Sequence, residues 1–194
     1  MKTTNNLISV WHVLGVMFVS ISLGNAQEEA PFPTPPRNVS SIATLASEEE
    51  PGEPLVITGT VYRADGKTPF AGLALYFYQT DLSGVYNRTT GSWKNPRLHG
   101  WIRTDSEGRY QLKTIKPGSY PTGRNPAHIH VTVQLSGTRA QWLDSYLFEE
   151  DPYLTDSDRK QASVGGYFSP VLKLRRSSDG ILRGRRNIAI APPR

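Results

Sequence analysis

From Pro54 onward the chain alternates apolar and polar positions with a period of two. Leu55, Ile57 and Val61 interleave with Val56, Thr58 and Thr60, a β-branched run that suits a strand. Leu73, Leu75 and Phe77 repeat the pattern, and Ala64-Asp65-Gly66-Lys67 between the two runs reads as a turn. Trp101 to Thr104 is predicted as a short strand, followed by the tight turn Asp105-Ser106-Glu107-Gly108. Tyr110, Leu112 and Thr114 continue that hairpin, and Pro117-Gly118 breaks it. Ala127 to Leu135 is predicted as a further strand, and Ile181 to Ile190 as a late one. No long stretch carries the period of an amphipathic helix. Short strands with frequent turns predict an all-β fold, a β-sandwich core with long functional loops. The longest loop runs from Thr80 to Gly100 and holds Tyr86, Trp93 and His99. Loops of that length in compact domains are commonly functional.

Before Pro54 the chain changes character. Met1-Lys2 precedes an apolar run, roughly Leu7 to Leu23, interrupted by His12. Gly24 and Ala26 then occupy small-residue cleavage positions. Residues 1–26 therefore read as a secretory signal peptide, the run being short of the ~20 apolar residues of a full span. Residues 27–53 are rich in proline and then acidic, which predicts a flexible linker. The folded domain is expected over residues 54–194. Export predicts a secreted or periplasmic protein with no stable membrane association.

Composition narrows the partners. The 194 residues suffice for one well-buried domain with terminal extensions. The net charge is +5 with a pI near 9.5, but Lys and Arg are scattered, so no nucleic-acid partner is predicted. The absence of cysteine excludes disulfides and thiolate zinc sites. Asn38-Val39-Ser40 and Asn87-Arg88-Thr89 fit glycosylation sequons. The oligomeric state is left open, a homo-oligomer included.

The densest chemistry lies in Gly118-Ser119-Tyr120-Pro121 and Pro126-Ala127-His128-Ile129-His130. In a strand, His128 and His130 share one face, while Ile129, Val131, Val133 and Leu135 share the other. One strand thus offers an imidazole pair on one side and core on the other. A chelating pair with nearby phenols suggests a metal centre using tyrosinate. The same His pair also suits a plain surface strand, and an exported sandwich also suits a non-catalytic carbohydrate- or surface-binding module. Both alternatives stand on the pair alone.

Several segments taken together resemble the intradiol ring-cleavage dioxygenases, the family of protocatechuate and catechol dioxygenases. They are Leu75 to Tyr86, Gly100 to Tyr110, Thr114 to Pro121, Pro126 to His130, Phe148-Glu149-Glu150-Asp151-Pro152 and Leu182-Arg183-Gly184. The resemblance covers about Pro54 to Ile190. It implies a mononuclear non-haem Fe(3+) held by Tyr86, Tyr120, His128 and His130. It also implies a small aromatic diol and dioxygen as substrates, and a cis,cis-muconate-type diacid as product. Tyr120 is the implied displaceable ligand and catalytic base. Two departures stand out. The family commonly carries an arginine three residues before the first histidine, where this chain has Asn125; Arg124, one residue earlier, is expected to turn inward and take that catalytic role. Ser145 stands where a glutamine is expected.

Overall fold

A computed structural model describes residues 33–135 and 140–190. The predicted signal peptide and the first residues of the predicted linker lie outside the described residues. In chain order the strands are β1 (Ile42–Thr44), β2 (Pro54–Arg63), β3 (Ala74–Gln79), β4 (Leu98–Arg103), β5 (Arg109–Ile115) and β6 (Ile129–Gln134). Then come β7 (Gln141–Trp142), β8 (Leu147–Phe148), helix α1 (Asp156–Gly165), β9 (Val171–Leu172), β10 (Arg175–Arg176), β11 (Leu182–Arg185) and β12 (Ile188–Ile190). One sheet has the order β1-β5-β2-β11-β10, with β12 also pairing β2. A second has the order β4-β3-β6-β7, and β8 and β9 form a small parallel pair. Among the described residues no helix is long and apolar enough to cross a membrane.

The two larger sheets face each other across one apolar core. Leu55, Ile57, Val61 and Leu112 come from the first; Leu75, Phe77, Ile102, Ile129, Val131 and Val133 come from the second. These are the inward positions of the period-two pattern, and all are buried. The expected all-β sandwich is therefore what the chain forms.

Four details differ from the sequence reading. The sheet takes in part of the predicted linker: β1 pairs in parallel with β5, and Ala43, Leu45 and Ala46 join the core. The predicted strand over Ile181 to Ile190 divides into β11 and β12, both parallel to β2. β4 begins at Leu98, so His99 is a strand residue opposite Tyr78 rather than a loop residue. Helix α1 was not expected. It buries no residue, so no apolar stripe marks it. Its one sequence signal is the capping box between Thr155 and Asp158, both halves of which form.

The site lies on the outer face of the second sheet. There β3 presents Tyr76 and Tyr78, and β6 presents His130 and Thr132. Tyr78 pairs with His130 in register, and Trp142 on β7 pairs with Thr132.

Candidate metal centre and active site

Two segments bring the phenols to the histidine strand. The first is the loop after β3. Its anchor is Asp81, whose carboxylate is buried. Asp81 Oδ1 accepts from the Ser83 hydroxyl (2.6 Å), the Ser83 amide (2.9 Å) and the Val85 amide (3.2 Å). Its Oδ2 accepts from Arg88 Nε at 2.8 Å. Arg97 stands 3.7 Å from the same carboxylate and also binds Glu50 through both guanidinium nitrogens. Burial pushes the Asp81 carboxyl up, but hydrogen bonds from Ser83, Arg88 and the Val85 and Ser83 amides outweigh it and bring it down to about 2. This knot closes the turn that leads into Tyr86.

The second segment, Gly118 to Tyr120, lies directly on that turn. The Gly118 amide donates to the Asp81 carbonyl at 2.9 Å, and the Thr80 hydroxyl donates to the Gly118 carbonyl at 2.9 Å. Two glycines permit the approach. A Cβ at Gly84 would collide with the Ser119 carbonyl, and one at Gly118 with the Leu82 carbonyl. Gly84 also sits at φ 79°, in the region that side chains avoid. Backbone against backbone, the two segments carry Tyr86 and Tyr120 to one point.

The histidines are oriented from behind. His128 Nδ1 is 2.7 Å from the Pro126 carbonyl, which can only accept, so Nδ1 carries the proton and Nε2 a lone pair. The Ala127 amide donates to Asp151 Oδ2 at 2.8 Å, which ties the strand entry to the Phe148–Pro152 segment. His130 Nδ1 is 3.2 Å from the Ser145 hydroxyl, and its ring stacks on Tyr78 at 4.5 Å between centroids. Ser145, a departure from the family pattern in the sequence, is thus a direct neighbour of a candidate ligand.

Four donor atoms converge. Tyr86 Oη is 2.5 Å from Tyr120 Oη and 2.7 Å from His130 Nε2. Tyr120 Oη is 3.1 Å from His128 Nε2, and the two Nε2 atoms are 3.0 Å apart. These four contacts have too few protons. Each phenol brings one, His128 Nε2 brings none, and His130 Nε2 brings one only if Ser145 donates to its Nδ1. Burial holds every member neutral. It pushes the Tyr120 phenol up against an opposing hydrogen bond from Tyr86, and pushes Tyr86 far up. It pushes His128 down, and, with His128 adding to it, brings His130 down to about 3. Oxygen and nitrogen lone pairs facing each other with a proton deficit suit a cation at their centre. Among the described residues no group of three or more His, Cys, Asp or Glu gathers for a metal, so any such site depends on the tyrosines.

The centre opens into a cavity of about 630 Å³ lined by Tyr78, Tyr86, Trp93, Tyr120, His130 and Trp142, among others. Trp101 packs on Tyr76 beside it, at 5.1 Å between ring centroids. Tyr78 went unnoticed in the sequence because the inner positions Leu75 and Phe77 drew the period-two reading. Its signal was that Tyr76 and Tyr78 alternate on the face opposite Leu75 and Phe77. Arg124 does not join the site. It is exposed, is not on the cavity wall, and makes no hydrogen bond or ion pair among the described residues. Asn125, at the family position itself, is exposed as well, so neither residue of the pair enters the site. Of the two sequons, Asn38 is exposed, whereas the Asn87 amide nitrogen donates to the Asn95 carbonyl at 2.9 Å.

A sandwich carrying two phenols and two imidazoles at the foot of an aromatic cavity is what the resemblance in the sequence leads one to expect. Residues 33–184 match the Dioxygenase family, and the chain belongs to the intradiol ring-cleavage dioxygenases. Catechol 1,2-dioxygenase 2 of Acinetobacter lwoffii is 31% identical over 130 residues, covering 59% of this chain and 46% of that protein. The protocatechuate 3,4-dioxygenase beta chain of Burkholderia cepacia is 31% identical over 113 residues, covering 53% and 48%. The chain matches about half the length of these relatives. Among solved structures, the dioxygenase domain of a dioxygenase carbohydrate-binding protein fusion from Streptomyces sp. SirexAA-E superimposes with a TM-score of 0.61. It is 25% identical and covers 86% of this chain and 97% of that one.

Proposed function

We propose that this protein is an Fe(3+)-dependent intradiol dioxygenase that opens a catechol-type ring with dioxygen to a cis,cis-muconate-type diacid. The observation that carries this is the convergence of Tyr86, Tyr120, His128 and His130, with donor atoms 2.5–3.1 Å apart. The donor set fits the metal: two phenolates supply hard anionic oxygen, and two imidazoles complete it. Ferric iron bound there supplies the one-electron chemistry that lets a catecholate react with dioxygen. Diol and dioxygen together account for the whole composition of the diacid.

The chain's own groups divide the remaining work. Tyr86 is buried on a loop pinned by Asp81, and it is the fixed phenolate. Tyr120 is less buried and lines the cavity beside Pro121 and Thr122, so it has room to swing away. Its Oη takes a substrate proton as the diol enters, which makes it the general base. Pro126 and Ser145 hold the imidazole rings so that both Nε2 atoms face the centre. Tyr78 and Trp142 flank His130 and keep water from one side of it.

The test is direct. Purified protein carries close to one iron per chain, shows a high-spin ferric resonance and a red-brown phenolate band, and consumes oxygen with catechol. Zinc in place of iron, a colourless protein and no oxygen uptake with any diol would instead favour the non-catalytic binding module.

A further inference from the structure

The cavity is larger and more aromatic than a simple benzenediol requires. Its volume of about 630 Å³ is in the range that ordinarily takes a drug-sized ligand. Two tryptophans line it beside Tyr86, Tyr120 and His130: Trp93 from the loop after β3, and Trp142 from β7. Trp142 is 46% exposed, yet its ring meets both Tyr78 and His130 edge-on, at 5.9 and 5.5 Å between centroids. It therefore reaches from the centre to the rim. An aromatic ring so placed offers a second group a flat apolar surface.

The charges point the same way. None of the described residues on the cavity wall is Lys, Arg, Asp or Glu. The loop's own arginines are occupied, Arg88 by Asp81 and Arg97 by Glu50. Arg124 is exposed and off the wall. Lys94, also exposed and off the wall, stands 5.8 Å from the Trp93 ring. A carboxylate on the substrate ring would leave water for a wall that carries no Lys or Arg among the described lining residues, which is costly.

We propose that the site selects uncharged catechols bearing a second aromatic ring, which packs against Trp142 and Trp93, and discriminates against ring-carboxylated catechols. This rests on the ring-cleavage reading for the position of the diol and adds the class of substituent. The probes are catechol, 4-phenylcatechol and protocatechuate. Each is titrated without oxygen into the purified full chain, with tryptophan fluorescence as the readout, and each is then assayed for oxygen uptake.

The expected order of affinity is 4-phenylcatechol above catechol by about tenfold, with protocatechuate weakest. Trp142→Ala removes most of the preference for 4-phenylcatechol over catechol, and Trp142→Phe restores most of it. Equal binding of catechol and 4-phenylcatechol, tightest binding of protocatechuate, or a preference unmoved by Trp142→Ala overturns the proposal. The two readings fail separately. Oxygen uptake with catechol but no preference for the phenyl group sinks only this inference. A Trp142-dependent preference with no oxygen uptake from any diol sinks only ring cleavage.

Discussion

Tyr110 and Tyr146 touch through their hydroxyl oxygens at 2.7 Å inside the sandwich, and Tyr86 and Tyr120 touch at 2.5 Å on its outer face. The contact is nearly the same, and the surroundings make it mean different things. Tyr110 also donates to the Arg186 carbonyl at 2.7 Å, so Tyr146 donates to Tyr110 and two protons serve two contacts. The Arg186 guanidinium covers the Tyr146 ring at 4.3 Å and closes the arrangement. That pair is complete and holds the sheets together. The outer pair meets two imidazole nitrogens as well, runs short of protons, and opens to a cavity. A phenol pair is structural where its hydrogen bonds balance, and a candidate ligand set where they do not.

The sharpest way to separate the pairs is to remove one hydroxyl from each. Tyr120→Phe should retain iron, yet slow turnover by about a hundredfold or more, the scale of a lost acid–base group. Stopped-flow mixing with catechol under anaerobic conditions would show slower catecholate formation. Formation at the wild-type rate would move the base role to another group. Tyr86→Phe should differ by altering the phenolate band even in the substrate complex.

The next effect concerns the support behind the ligands. Ser145→Ala removes the partner of His130 Nδ1 and should weaken iron binding by about 10- to 100-fold, measured by competition with a chelator. The inner pair has no stake in that residue, so the urea midpoint of the iron-free protein should barely move. A large stability loss with unchanged iron affinity would recast Ser145 as a folding residue.

Acid should also separate the two regions. Asp81 is lowered from 3.8 to about 2 in the folded chain, so it stabilises the fold above about pH 4. That contribution is lost as pH falls from about 4 through 2, and amounts to about 2 kcal/mol. Hydrogen exchange over this window should loosen the turn holding Tyr86 before the strands holding Tyr110. Asp81→Asn should flatten the acid limb of stability against pH; an unchanged limb would mean another carboxylate sets it.

The smallest effect is at the balanced pair. Tyr146→Phe deletes one hydrogen bond while Tyr110 keeps its bond to the Arg186 carbonyl, so the cost should be about 1 kcal/mol in urea denaturation. Iron content and colour should match wild type. A change in the charge-transfer band would show that the two pairs are coupled through β6 and its bridge to Tyr146.

Much of this was legible along the chain because it depends on near neighbours. Period-two alternation puts His128 and His130 on one face and Ile129 and Val131 on the other whatever the rest of the fold does. The order of segments around Tyr86, Tyr120 and the histidines carried the family and the ligand candidates. Other features left no local mark. β1 joins the sheet by a parallel pairing with β5 far along the chain, and nothing in its short sequence announces that partner. Arg124 and Asn125 are both exposed, and sequence distance from a histidine does not encode that. Ser145 reaches His130 only because the Tyr146 backbone bridges to Ile129. The strands and the candidate donor residues are thus written in residue spacing. The proton deficit among four side chains is not: it arises from cross-strand register and from two glycines that let the chain lie on itself.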